Sequence, residues 1–177
     1  AENTDAFSFD RLTVASQVFA RQLLARFPAV RCGCRMERAA WDGGLHLAVE
    51  IPSEVGSDRS IHIWMEEGDE PSLAFGDAGW HTHGAHYREL EEGRYEEESL
   101  LDLLDAILHD RFVLLDEPQA EPPVRGLVLD LRNPDALEEE LSSAYCSRCV
   151  RIRSFSGRAD RVVDVDDLDQ GGGGGAL

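Results

Sequence analysis

Apolar and polar residues alternate through much of the first half of the chain and fall at helical spacing at its start and centre. Between Phe9 and Phe27, Leu12, Phe19, Leu23 and Phe27 recur at intervals of seven and four, with Ala15, Ser16 and Ala20 between them. That spacing predicts an amphipathic helix, with Asp5 or Ser8 at its start. Pro28 ends it, because the residue before a proline is pushed out of the helical region. Ala29–Ala40 and Leu45–Ile51 then predict two strands. Trp41-Asp42-Gly43-Gly44 lies between them, and its Asp-Gly pair favours the positive φ of a tight hairpin. Leu45, Leu47, Val49 and Ile51 alternate with His46, Ala48 and Glu50, which predicts one buried face and one wet face carrying His46. Ser60–Glu67 predicts a third strand, with Ile61, Ile63 and Met65 inward and His62, Trp64 and Glu66 outward. The Gly68–Pro71 turn leads into a fourth, Ser72–Phe75.

The acidic run Glu89–Glu98 leads into a helix marked by Leu100, Leu101, Leu104, Ile107 and Leu108. Glu96, Glu97, Glu98 and Asp102 load its start with charge of the sign the helix dipole favours. Phe112–Leu115 and Val124–Leu131 predict strands joined by a proline-rich link. Asn133-Pro134 opens a short helix running to about Ala144. Cys149–Phe155 predicts a last strand, with Val150 and Ile152 inward and Arg151 and Arg153 outward. The fold class expected is α+β, an antiparallel sheet of about five to seven strands with two main helices on one face. One domain is expected over residues 1–170, with a flexible glycine-rich tail at residues 171–177.

Charge changes the picture. Thirty-five acidic residues against 17 basic ones leave a net charge of −18. Such a surface repels nucleic acid and anionic membranes and suits a basic protein partner or a cation; it also keeps a protein soluble. The chain has no apolar run of membrane-spanning length and its first ten residues have no signal-peptide character, so the expected location is the cytoplasm.

Two groups carry candidate chemistry. Cys32 and Cys34 lie two apart on one predicted strand face, and Cys146 and Cys149 form a distant C-x-x-C. Together they are a candidate structural zinc set, or else four half-buried thiols on neighbouring strands. The stretch from Ser72 to Tyr87 holds His81, His83 and His86, three of the six histidines. If the chain is extended there, His81 and His83 point the same way, and His86 adds a third candidate ligand for a catalytic metal. Trp64, Trp80, His81, His83, His86 and Tyr87 are equally a candidate binding surface, since aromatic residues beside imidazoles bury large area at little entropic cost.

His81-Thr82-His83 followed by Ser99-Leu100-Leu101-Asp102 resembles the JAB/JAMM metalloprotease signature. That resemblance implies a zinc-dependent hydrolase, with Glu50 the nearest upstream acid. A second resemblance covers more of the chain: Trp41–Gly44, Phe75–His83, a charged helix over Tyr95–His109, and Arg151–Gly157. In this the chain resembles small acidic bacterial immunity-type proteins of polymorphic toxin systems. It implies a non-catalytic protein that binds and blocks a toxin domain, its acidic surface steering it to a basic target. Of the two, the binding protein is the reading expected. With this charge balance, a gel shift with DNA or RNA at physiological salt and micromolar protein is expected to leave the nucleic acid free.

Overall fold

The computed structural model describes residues 7–77, 79–91, 94–117, 124–133 and 149–164. Its α+β class is the one expected, but the strands divide among three antiparallel sheets. The first is a meander of β1 (Cys34–Arg38), β2 (Leu45–Ile51), β3 (Ile61–Met65), β4 (Pro71–Phe75) and β5 (His81–His83), in that spatial order. A two-stranded ribbon follows, β6 (Ala85–Glu91) with β7 (Arg94–Ser99). The third sheet has the order β11-β10-β8-β9, from β8 (Phe112–Glu117), β9 (Val124–Asp130), β10 (Cys149–Arg153) and β11 (Arg161–Asp164). The helices are α1 (Val14–Arg26) and α2 (Leu100–Leu108). None of the helices described is long and apolar enough to cross a membrane. The short helix predicted after Asn133, the proline-rich link and the glycine-rich tail lie outside the described residues.

Local differences from the sequence expectation have identifiable causes. The first helix begins at Val14, because Phe9–Arg11 forms a 3-10 turn and the Thr13 amide donates to the Leu45 carbonyl of β2 at 2.9 Å. The first strand is short because Pro28–Gly33 winds into a second 3-10 turn, so Cys32 precedes the strand that Cys34 opens. The acidic run from Glu96 to Glu98 belongs to β7. Alternation in β6 and β7 puts Glu98 on one face, against Arg132, and Glu97 on the other, exposed. The α2 helix begins only at Leu100, where the Ser99 hydroxyl accepts the Asp102 amide at 3.2 Å and donates to the Asp102 carboxylate at 2.7 Å. Ser99 and Asp102 are therefore a reciprocal N-cap.

The main core lies between the inner face of the meander and the two helices. Leu47, Val49, Ile61, Ile63, Met65, Leu73 and Phe75 meet Phe19 and Leu23 of α1 and Leu103, Leu104 and Ile107 of α2. Strand β8 is buried on both faces. Phe112 and Leu114 close the main core, while Val113 and Leu115 pack with Leu129, Val150 and Ile152 in a second cluster. An unbroken apolar run is what a strand buried on both faces requires.

At the seam between the meander and the third sheet sits Arg153, which is only 5% exposed. It shares a strand face with Arg151, as alternation predicts, but that face, expected in solvent, is covered at this position. Its guanidinium lies 2.7 Å from Asp116 of β8, 2.5 Å from Asp58 and 3.5 Å from Asp77. Asp58 lies in the 3-10 turn between β2 and β3, and the turn carrying Asp77 leaves β4 through Gly76. At φ +77°, where an added Cβ would also crowd the Leu114 side chain, position 76 favours glycine. Arg153→Met, by leaving the buried Asp116 undercompensated, is expected to cost about 3 kcal/mol or more in urea denaturation. Arg151→Ala, removing the half-exposed partner of the same carboxylate, is expected to cost less than about 1 kcal/mol.

Candidate functional site

The outer face of the meander follows from its register. Ala48 of β2 lies opposite Trp64 of β3, Trp64 opposite Ser72 of β4, and Ser72 opposite His83 of β5. One row over, Glu50, His62, Ala74 and His81 follow one another across the same four strands. Small side chains at 48 and 72 flank the indole of Trp64 and leave it room on this face. The Trp64 indole N–H donates to a Glu66 carboxylate oxygen at 2.5 Å. Its ring centroid is 6.4 Å from that of His81, and the His81 and His83 rings stand edge to face at 4.8 Å. His83 Nδ1 is 2.8 Å from the Ser72 hydroxyl and 3.5 Å from Glu66. Trp64, His81, His83, Glu66 and Ser72 are thus one connected cluster, in which both imidazoles are exposed and the indole half-buried. On the β1 side of the same face, Arg35 bonds Glu50 at 2.9 Å and Glu37 at 2.8 Å. Its guanidinium holds the Glu50 carboxyl below the usual carboxylate range.

The other residues of the expected surface lie elsewhere. Trp80 and His86 form an aromatic stack with Phe112, with centroid separations of 5.2–6.2 Å, and Trp80 packs against the main core. Their faces are given to packing because β6 leaves the end of β5 through Gly84 and turns beside β8. Tyr87 lies on the opposite, exposed face of the β6–β7 ribbon, which it shares with Tyr95. The expected single surface therefore resolves into an exposed Trp64–His81–His83 cluster, an internal Trp80–His86 stack and a separate tyrosine face.

His46 was expected in solvent and is only 3% exposed. The loop at residues 39–44 folds over it: the Trp41 ring lies 5.1 Å away, Asp42 is 2.9 Å from Nε2 and the Thr13 hydroxyl 3.5 Å from Nδ1. Asp42 also accepts the Gly44 amide at 2.8 Å, which holds its carboxyl below the ordinary range. The available sequence signal is an Asp in the turn four residues before a His, a spacing that closes only because the loop curls back.

Among the described residues, no group of three or more His, Cys, Asp or Glu side chains is placed to hold a metal ion. His86 faces Trp80 and Phe112, and Glu50 stands three strands from His81 in register. Asp102 caps α2, which packs on the inner face, and pairs with Arg26 of α1 at 2.5 Å. Of the cysteine set, Cys32 and Cys34 do not share a strand face, because Cys32 lies in the 3-10 turn. Their thiols are directed at the Ala29 and Val30 carbonyls. Burial pushes the Cys34 thiol up to about 11. Strand β10, which Cys149 opens, belongs to a different sheet from β1, and Cys146 lies outside the described residues.

Comparisons with protein-family models, curated proteins and solved structures give no match for this chain.

The internal stack has a pH consequence. Burial beside Trp80 and Phe112 lowers the His86 pKa from its ordinary 6.5, only partly offset by the negative charge of Glu98 and Asp130. The folded chain therefore takes up this proton at lower pH than the unfolded chain. The contribution to stability is complete above 6.5 and is lost as pH falls from there through the lowered folded value. Urea midpoints measured at neutral and mildly acid pH are expected to differ less for His86→Phe than for the unaltered protein.

Proposed function

We propose that this chain is a non-catalytic, acidic binding protein that engages a basic protein partner through the outer face of its meander, acting in the cytoplasm. The observation that carries this reading is the Trp64–His81–His83 cluster. An indole and two imidazoles are joined on an exposed sheet face whose inner side supplies a rigid core. Rigid aromatic groups on a preformed strand scaffold make a binding anchor that loses little conformational entropy on contact. The net charge of −18 supplies long-range attraction to a basic partner and speeds encounter. The resemblance to immunity-type proteins makes a toxin domain the partner class, with neutralisation achieved by covering its surface.

The test is capture of a partner by the intact chain, its identification, and reconstitution from two purified proteins in a calorimeter. The partner is expected to be basic and its affinity to fall with rising salt. His81→Ala and His83→Ala change exposed side chains and leave the core alone, so they separate binding from folding. Each is expected to weaken the complex by about tenfold or more if it belongs to the anchor. A partner that is not basic, or one bound with unchanged affinity by both variants, would refute the reading. Zinc bound in stoichiometric amount and lost with His81→Ala would replace it with a metal-dependent hydrolase.

A further inference from the structure

At one end of the outer face, a cavity of about 310 Å³ opens between the loop at residues 39–44 and the end of β3. Trp41 and Trp64 both line it, together with His46, Glu37, Glu66 and Arg38. We infer that this cavity receives an arginine side chain projecting from the basic partner, an inference that rests on the binding reading above and names its anchor point.

The wall chemistry selects the occupant. Two indoles supply flat, electron-rich faces over which a cation is attracted. Glu37 and Glu66 supply two carboxylates, and both retain acceptor capacity. Glu66 takes the Trp64 indole N–H and lies 3.5 Å from His83, while Glu37 shares the Arg35 guanidinium with Glu50. His46 offers no free donor, since its two ring nitrogens face Thr13 and Asp42. It forms wall, and it supports Trp41 from beneath at 5.1 Å. Arg38 is the one lining residue of opposite sign, and its guanidinium is turned to the Gly43 carbonyl, where it donates a hydrogen bond.

Two lining carboxylates against one lining arginine disfavour a phosphate or carboxylate ligand. A purely apolar ligand would strip water from the carboxylates and return nothing. The volume lies at the low end of the range of about 300–1,000 Å³ for ligand pockets, suited to one side chain rather than a cofactor. Between the two basic side chains, arginine is favoured because its planar guanidinium stacks on an indole while its edge donates to a carboxylate. Trp41 lines the cavity and is 45% exposed, which leaves indole surface for an incoming stem to pack against.

The experiment uses N-acetyl-L-argininamide as the probe, titrated into the full chain while the three indole N–H signals are followed by NMR. Saturable shifts are expected at Trp41 and Trp64, with Trp80, packed in the internal stack, as the unresponsive reference. N-acetyl-L-leucinamide is expected to give no saturation. Glu66→Gln keeps the shape and removes one charge, and is expected to weaken the probe by about tenfold. Trp41→Ala, on an exposed loop, is expected to weaken it at least as much. Lack of saturation, an equal response to leucinamide, or binding unchanged in both variants would overturn the inference. Because the probe contains no partner, it can fail while the partner still binds through the histidine cluster, and it can succeed even if no basic protein is found. The two readings therefore fail separately.

Discussion

The buried carboxylate of Asp116 must be neutralised, and the way Arg153 does so ties the two larger sheets together. Asp116 sits at the end of a strand whose four preceding residues are all buried. Arg153, on the neighbouring strand, also reaches Asp58, in the turn before β3, and Asp77, in the turn after β4. Burying such charges is costly, and apolar replacements of equal volume often match or exceed the stability of a buried pair. Its structural consequence is directional: a guanidinium with carboxylates on two sheets has few placements that satisfy all of them. A parallel arrangement holds the ribbon. Arg132 bridges Glu98 of β7 and Asp130 of β9, and Arg88 of β6 also meets Asp130.

This arrangement has a consequence for the outer face. Both helices and the third sheet are engaged on the inner side of the meander or at its edge. The outer side is left to short-range contacts among Trp64, His81, His83, Glu66 and the Arg35–Glu50 pair. A sheet with one face in a core and the other presenting aromatic and ionisable groups is a rigid platform. Rigidity matters for binding because a preorganised surface loses less freedom on association.

The molecule's charge and its local chemistry act at different ranges. The net charge of −18 acts over about a Debye length, attracting basic and repelling acidic surfaces. The indoles and carboxylates at the end of the face act only in contact, and in the proposed complex they select the side chain held. A basic partner is favoured by the first, and an arginine by the second.

The chain by itself determined the α+β class, the inward rows of β2 and β3, the end of α1 at Pro28 and the stripe of α2. Each is a local periodicity, and burial of an apolar face enforces it wherever the face finds a partner. Trp64 on the outer side was legible for the same reason, and so was the shared side of His81 and His83. Tertiary structure decided the rest. It turned Glu96–Glu98 into a strand because β6 was available to pair with it, whereas charge pattern alone reads equally well as a helix start. It buried His46 because the loop carrying Trp41 and Asp42 folds back over β2, a contact no alternation rule describes. It covered the face that Arg153 shares with Arg151, where three carboxylates distant in sequence converge on the guanidinium. It separated Trp80 and His86 from the exposed cluster because β6 turns aside to pack on β8. Periodicity reports only which residues share a face; what covers that face depends on pairings between segments far apart in the chain.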